Sequence, residues 1–371
     1  MEALEITVKS GLEGIVVAQT SLSEVDGRRG RLIYRGFLVE QLAGARCYED
    51  VAHLFWEGSL PNSRESAALC EAIGKARVKA FEALPKVGNA LSAPNGMDAL
   101  RASLSHLRAQ DDETETMINL VGATPVFAAA WWRMKNGKAP VAPDPSSSVA
   151  ADYYRMCHGE SADPRVIRAL DAYLVTVMDH GMNASTFAAR VVSSTGSDPV
   201  SSVVAGIGAL KGPLHGGAPG PVLDMIDAVG EPEHAAAWVA GELAAGNRIM
   251  GMGHRVYRVR DPRAFVLEKQ VEKLVESGLA TKKLSLARAV EKAAEEALAK
   301  RYPTRPLRAN VEFYTAVLLD AVGLDRQQFT PTFAVGRMAG WLAHTREQHV
   351  TGRLIRPDAV YIGPKPMGEV V

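Results

Sequence analysis

The chain has 371 residues, 47% of them hydrophobic, with 42 basic and 42 acidic side chains and a formal net charge of zero. Such a length buries a large core and organises as two domains or one large one. The charge balance leaves no broad positive field for nucleic acid or an anionic membrane surface, so neither is expected as a partner.

Residues 1–11 carry Glu2, Glu5 and Lys9 without an apolar run, and no secretion signal is expected there. Short β-branched or aromatic runs at 14–19 and 31–34 flank Asp26-Gly27-Arg28-Arg29-Gly30 and predict a small hairpin. Beyond it the chain reads as helix. Apolar residues three to four apart among good helix formers predict helices near 63–81, 116–135, 164–178, 233–245, 262–276 and 284–300. The longest apolar stretch, Val126-Phe127-Ala128-Ala129-Ala130-Trp131-Trp132, is too short to span a bilayer. Residues 136–148, with three prolines and three serines, form a surface loop rather than a domain linker. Gly206-Ile207-Gly208-Ala209-Leu210-Lys211-Gly212 is one residue too long for a dinucleotide loop and reads as a helix end closed by Gly212-Pro213. Asp261 caps a helix with Pro262 at its first position and Arg263 in its first turn. After an irregular stretch at 302–306, Asn310 caps another helix and places Glu312 in its first turn, where the helix dipole favours a carboxylate. This helical content exceeds the globular average and points to an all-α enzyme.

Three of the nine histidines lie in glycine-bordered loops rather than on helix faces. They are His180 in Met178-Asp179-His180-Gly181-Met182-Asn183, His215 in Lys211-Gly212-Pro213-Leu214-His215-Gly216-Gly217, and His254 in Gly251-Met252-Gly253-His254-Arg255-Val256-Tyr257. Glycine beside an imidazole lets the backbone turn tightly and a ligand approach closely. Arg263, Arg337 and Arg356 occupy a helix start, a helix interior and an Arg-Pro step, and a guanidinium is a natural clamp for a carboxylate. The histidines lack the i, i+4 pairing of a metal site, so no metal is expected. There is no G-K-[ST] loop and no H-E-x-x-H motif. Cys47, Cys70 and Cys157 form no C-x-x-C pair, so they read as buried filler in a reducing, cytoplasmic compartment.

Lys211-Gly212-Pro213-Leu214-His215-Gly216-Gly217-Ala218, Ile249-Met250-Gly251-Met252-Gly253-His254-Arg255-Val256-Tyr257 with Asp261-Pro262-Arg263, and Asn310-Val311-Glu312-Phe313-Tyr314 resemble, in order, the signatures of the citrate synthase family. Gly11-Leu12-Glu13-Gly14-Ile15, Tyr34-Arg35-Gly36 and the closing Gly352-Arg353-Leu354-Ile355-Arg356-Pro357 extend the resemblance over essentially the whole chain. It is similar to the short bacterial type, which also includes 2-methylcitrate synthases.

The resemblance implies an all-α, two-domain homodimer. A large domain combines residues 1–216 and 324–371, a small acyl-CoA-side domain spans 217–323, and Gly216, Gly217 and Gly323 stand near the hinges. The implied reaction condenses oxaloacetate with acetyl-CoA to citrate and CoA, an acyltransferase step that needs no metal or redox cofactor. The implied catalytic residues are His215 at the thioester oxygen, His254 at the keto-acid carbonyl and Glu312 as base. His180, Arg263, Arg337 and Arg356 hold oxaloacetate, with Arg356 reaching the partner subunit's site. Arg248, Ile249, Met250, Gly251 and Met252 lie along coenzyme A. Glu312 departs from the aspartate usual in the family, lengthening the carboxylate's stem by one methylene. The alternatives are 2-methylcitrate synthesis from propionyl-CoA, a one-methyl difference worth about 1–3 kcal/mol in an apolar pocket, and a non-catalytic carboxylate or acyl-CoA sensor.

Overall fold

Three helices open on the same dipeptide, aspartate followed by proline: Asp163-Pro164, Asp198-Pro199 and Asp261-Pro262. In each, the carboxylate accepts a hydrogen bond from a backbone N–H of the first turn, while proline occupies the position whose own N–H has no helical partner. The computed structural model describes residues 11–215, 219–280 and 283–364. Its elements begin with a three-stranded antiparallel sheet, β1 (Ser23–Asp26), β2 (Arg31–Tyr34) and β3 (Phe37–Leu38). Helices α1 (Val39–Leu42), α2 (Tyr48–Glu57), α3 (Ser63–Glu82), α4 (Gly96–Leu104), α5 (Glu113–Lys135) and α6 (Val149–His158) follow. Next come α7 (Pro164–Thr176), α8 (Ala184–Ser193), α9 (Pro199–Leu210), α10 (Pro219–Val229) and α11 (Ala235–Ala244). The last four are α12 (Pro262–Glu276), α13 (Lys283–Arg301), α14 (Val311–Ala321) and α15 (Arg326–Thr351). The fold is all-α with a small β appendage.

The six predicted helices are all present, with ends moved by a few residues. The hairpin is present too, but its first strand is not at 14–19. That segment is irregular, and β1 runs through Ser-Glu-Val-Asp, a poor strand sequence on propensity alone. Pairing decides it: β2 buries Leu32 and Tyr34 completely, and Ser23 and Asp26 lie opposite Tyr34 and Arg31. The Asp26 carboxylate then accepts from the N–H groups of Arg28 and Arg29, closing the turn. All three cysteines are free thiols; Cys157 is buried, whereas Cys47 and Cys70 are only half-buried. Gly216 and Gly217 lie outside the described residues. No helix among the described residues is long and apolar enough to cross a membrane.

α15 is the axis of the core. Almost every side chain from Gln328 to Thr345 is buried, and the helix packs against α2, α4, α5, α7, α8 and α9. A helix buried all round needs no amphipathic face. At Gly340 the approach is so close that a β carbon would stand 2.0 Å from the Met178 carbonyl oxygen. The loop joining α7 to α8 therefore lies directly on α15. From the other side the buried Tyr34 hydroxyl bonds to the carbonyls of Thr176 (3.0 Å) and Asp179 (2.7 Å).

Candidate active site

Six chain segments converge on one cluster: the α7–α8 loop, the loop after α9, the long connection from α11 to α12, the starts of α12 and of α14, and the middle of α15. The α7–α8 loop carries His180, which is buried and lies with its Nε2 3.2 Å from the Tyr257 hydroxyl. The rings of His180, His254 and Tyr257 pack together with centroids 4.8–5.5 Å apart. His254 belongs to the α11–α12 connection, which is tied down at both ends of this segment. Gly253 N–H donates to the Arg308 carbonyl (2.7 Å), and Asn310 N–H donates to that of Gly251 (2.9 Å). Gly251, at φ +73°, lies against Phe313 closely enough that a β carbon would stand 3.0 Å from it. Beyond His254, Arg258 N–H donates to the Gly27 carbonyl at 2.8 Å, so the hairpin turn supports this loop.

The proton on His254 can be assigned. Its Nδ1 accepts from the backbone N–H groups of Val256 (2.9 Å) and Tyr257 (3.2 Å), which can only donate. A neutral ring therefore carries its proton on Nε2. Burial first, and the charge of Arg263 second, hold the His254 pKa down at about 4. The Arg263 Nη2 lies 3.5 Å from Nε2. Both are donors, so the His254 N–H stays available to a ligand.

Asp261 fastens two helix starts to each other. Its wholly buried carboxylate accepts from Arg263 N–H (3.0 Å), Nε (3.0 Å) and Nη2 (2.7 Å), and from Val311 N–H (3.2 Å) at the first residue of α14. Asn310 caps α14 by accepting from Glu312 N–H, and its side-chain amide donates to the Gly253 carbonyl at 2.8 Å. The Glu312 carboxyl thus starts from a backbone locked to both the His254 loop and Arg263. Its Oε2 is buried with no hydrogen-bond partner. Burial raises its pKa to about 7, against the pull of Arg263 and Arg337.

Arg337 is buried in the middle of α15. Its Nε donates to the Val177 carbonyl (2.6 Å) and its guanidinium lies over Phe333, with the ring centroid 4.8 Å away. It makes no ion pair among the described residues, and Nη1 has no partner. His215 follows α9, with Nε2 2.8 Å from the Ser185 hydroxyl. That hydroxyl accepts from Trp341 Nε1 (3.2 Å) and donates to Asn183 Oδ1 (2.8 Å). Burial, then Arg337, brings the His215 pKa to about 4. His180 is held well below the ordinary histidine value, chiefly by burial and next by Arg263. At neutral pH the cluster thus holds three neutral imidazoles, two guanidiniums and one carboxyl poised near its midpoint.

Of the remaining expected residues, Arg248 is exposed, Met250 and Met252 are half-buried, and Ile249 and Gly251 are buried. Arg356 lies on the exposed stretch beyond α15 and has no polar contact with the cluster among the described residues. No group of three or more His, Cys, Asp or Glu side chains among the described residues is arranged to hold a metal ion. Sequence reasoning passed over Tyr257, Asp179, Ser185 and His344. The run Asn183-Ala184-Ser185-Thr186 did carry a signal, since asparagine caps α8 and turns Ser185 toward the loop.

Buried arginines and neutral histidines gathered beside a carboxyl of raised pKa are the arrangement in which enzymes handle anionic carbonyl compounds. The profile of the citrate synthase C-terminal domain matches residues 11–358, and the chain belongs to the citrate synthase family. It is 38% identical to a citrate synthase of Haloferax volcanii, over 97% of each chain. It is 36% identical to a 2-methylcitrate synthase of Mycobacterium tuberculosis, over 96% of this chain and 91% of that one. Citrate synthase of Thermoplasma acidophilum, solved as a ternary complex with carboxymethyl coenzyme A and oxaloacetate, superposes with a TM-score of 0.87, 28% identity and 98% coverage of each chain.

Proposed function

We propose that this enzyme condenses oxaloacetate with acetyl-CoA to give citrate and CoA. One observation carries the reading: Arg337 is a buried guanidinium with an unpartnered nitrogen and no direct ion pair, next to a second buried arginine. Asp179 feels this charge without pairing with it, and a buried charge so poorly paired is costly, which supports a site built around a bound anion. Oxaloacetate supplies two carboxylates, taken up by Arg337, Arg263 and His180, with Arg356 entering from a second subunit.

The chemistry starts from the Nε2 proton assigned to His254 and the raised carboxyl of Glu312. Glu312 removes a proton from the acyl carbon next to the thioester, and its raised pKa makes it a competent base at neutral pH. His215 donates through Nδ1 to the thioester oxygen as negative charge builds there, the Ser185 hydroxyl turning its proton from Asn183 Oδ1 to Nε2 of the ring; a neutral imidazole then suffices. The enolate carbon attacks the oxaloacetate ketone, and His254 passes its Nε2 proton to the alkoxide. Water then cleaves the citryl thioester. The acyl-CoA arrives along residues 248–252, and coenzyme A is a substrate rather than a resident cofactor.

The working unit in this reading is a homodimer. Apolar Val16, Leu354 and Ile362 stand exposed on the terminal segments, as they would if a second copy covered them. Residues 217–323 act as the closing domain, with Gly323, at φ +85°, as one pivot. The setting is cytoplasmic. Sedimentation that finds a fully active monomer rules out the dimeric site.

Propionyl-CoA as the acyl donor, giving 2-methylcitrate, is the second reading and rests on the Mycobacterium tuberculosis relative. Thiol release with oxaloacetate and each acyl-CoA in turn separates the two. A higher kcat/KM with acetyl-CoA supports citrate synthesis, and a higher value with propionyl-CoA supports the alternative. No release with either favours a non-catalytic sensor.

A further inference from the structure

Behind Glu312 lie two more polar atoms that the fold leaves unsatisfied. Tyr173, on α7, and Thr315, on α14, are both wholly buried; neither hydroxyl has a partner of ordinary hydrogen-bond geometry, though the two lie close enough to interact with each other. Native interiors rarely leave buried polar groups unpaired, and three together, counting Glu312 Oε2, call for a common explanation.

Thr315 stands three residues after Glu312, one turn along the same face of α14. α7 packs against this face and brings the Tyr173 hydroxyl beside that of Thr315. After burial, the charge of Glu312 is the strongest influence on the Tyr173 phenol. The other charged groups facing Glu312 are Arg263 and Asp261 from the start of α12 and Arg337 from α15. Both arginines face the anion site, so in the occupied enzyme their charge is shared with a ligand. A donor that is not shared has to come from elsewhere.

We propose that Tyr173 and Thr315 are positioning residues for Glu312, with the Thr315 hydroxyl donating to the Tyr173 oxygen and the Tyr173 hydroxyl donating to Glu312 Oε2 in the working site. One carboxylate oxygen is then held while the other stays free to take the proton. The anchor offsets the longer stem of glutamate, whose additional rotatable bond would otherwise let the base wander. This inference rests on the reading of Glu312 as the base.

The test compares Tyr173→Phe, Thr315→Val, Thr315→Ser and Glu312→Gln in the full-length enzyme. The readouts are thermal unfolding and the pH dependence of kcat and kcat/KM for acetyl-CoA. A hydrogen bond to the charged form lowers a carboxyl pKa, so losing it in Tyr173→Phe moves the ascending limb to higher pH. We expect kcat to fall by about ten- to a hundredfold, as for a misplaced catalytic group, with KM for oxaloacetate unchanged. Thr315→Val shifts the limb in the same direction, whereas Thr315→Ser keeps it at its parental position. Should Tyr173→Phe fail to fold, the two Thr315 variants decide by themselves. Unmoved limbs and turnover in Tyr173→Phe and Thr315→Val, with Glu312→Gln inactive, overturn the proposal and leave the base assignment standing. Normal turnover in Glu312→Gln overturns both.

Discussion

His344 Nε2 donates to Asp179 Oδ1 at 3.0 Å, and both side chains are wholly buried. The direction is fixed from the far side of the ring. Arg190 Nη1 lies 3.0 Å from His344 Nδ1 and can only donate, so Nδ1 accepts and Nε2 bears the proton. Arg190 in turn pairs with Glu347 at 2.7 Å, and Glu347 accepts from Ser21 N–H at 2.9 Å. A polar chain thus runs from the protein edge to Asp179, which also accepts from Gly181 N–H (2.8 Å) and from the Ser23 hydroxyl. Asp179 thereby fixes Gly181, the residue just beyond His180, and with it the loop that carries His180.

Removing His344 should therefore act at a distance on the ligand. His344→Ala leaves the Asp179 carboxylate buried without one of its donors, a loss worth about 1.5–3 kcal/mol for a hydrogen bond to a charged group. Urea titration should register that destabilisation, and calorimetry should record weaker oxaloacetate binding as the His180 loop loosens. A variant with parental stability and affinity would contradict this account.

The histidines dictate how stability responds to acid. In the unfolded chain a histidine takes up its proton near pH 6.5, whereas His215 and His254 in the native protein resist until about pH 4. Between these values the unfolded state binds more protons, so stability is full above pH 6.5 and is lost as pH falls toward 4. Asp179 adds to this only lower down. Burial would raise its pKa, but His344, Arg337 and Ser23 bring it to about 2, so its contribution is lost only as pH falls from the ordinary aspartate value toward 2. Urea midpoints should hold between pH 7.5 and 6.5 and fall from there to 4.5, the proton taken up by native Glu312 offsetting only part of the histidines' loss. His254→Asn should flatten that slope.

Arg337 should reveal the ligand by its absence. A ligand that binds only the native state raises the unfolding temperature by mass action. Saturating oxaloacetate should protect the parent enzyme and give almost no shift in Arg337→Met, which removes the guanidinium but keeps an apolar stem in the helix. Equal protection of both proteins would remove Arg337 from the site.

Glu312→Asp restores the residue usual in the family on a backbone that is fastened by Asn310, Asp261 and Gly251. That backbone cannot follow the shorter side chain. Turnover should drop by roughly an order of magnitude or more, given that an error near 1 Å costs about a hundredfold. A variant faster than the parent would mean that the site is not adapted to glutamate.

Much of this was legible in the residues themselves. Caps such as Asp261 and Asn310 announced their helices because a short polar side chain before an apolar repeat has little else to do. The loop histidines announced a site because glycine beside imidazole serves no packing purpose. The strand at Ser23–Asp26 was hidden because its pairing with β2, rather than its own composition, makes it a strand. His344 was hidden for a similar reason: on a helix buried all round, a histidine facing Asp179 looks no different from one facing any neighbour. Tyr257 stood in plain view beside His254, yet nothing in the order of residues says that its hydroxyl meets His180.

The central claim is that Glu312 is the base of a condensation between oxaloacetate and a CoA thioester. Its most direct test is thiol release by Glu312→Gln with saturating oxaloacetate and acetyl-CoA, alongside calorimetry of oxaloacetate binding to the same protein. Loss of a positioned base predicts a fall in turnover of about a hundred- to ten-thousandfold, with oxaloacetate affinity close to that of the parent. Turnover at the parental rate in that variant would contradict the account.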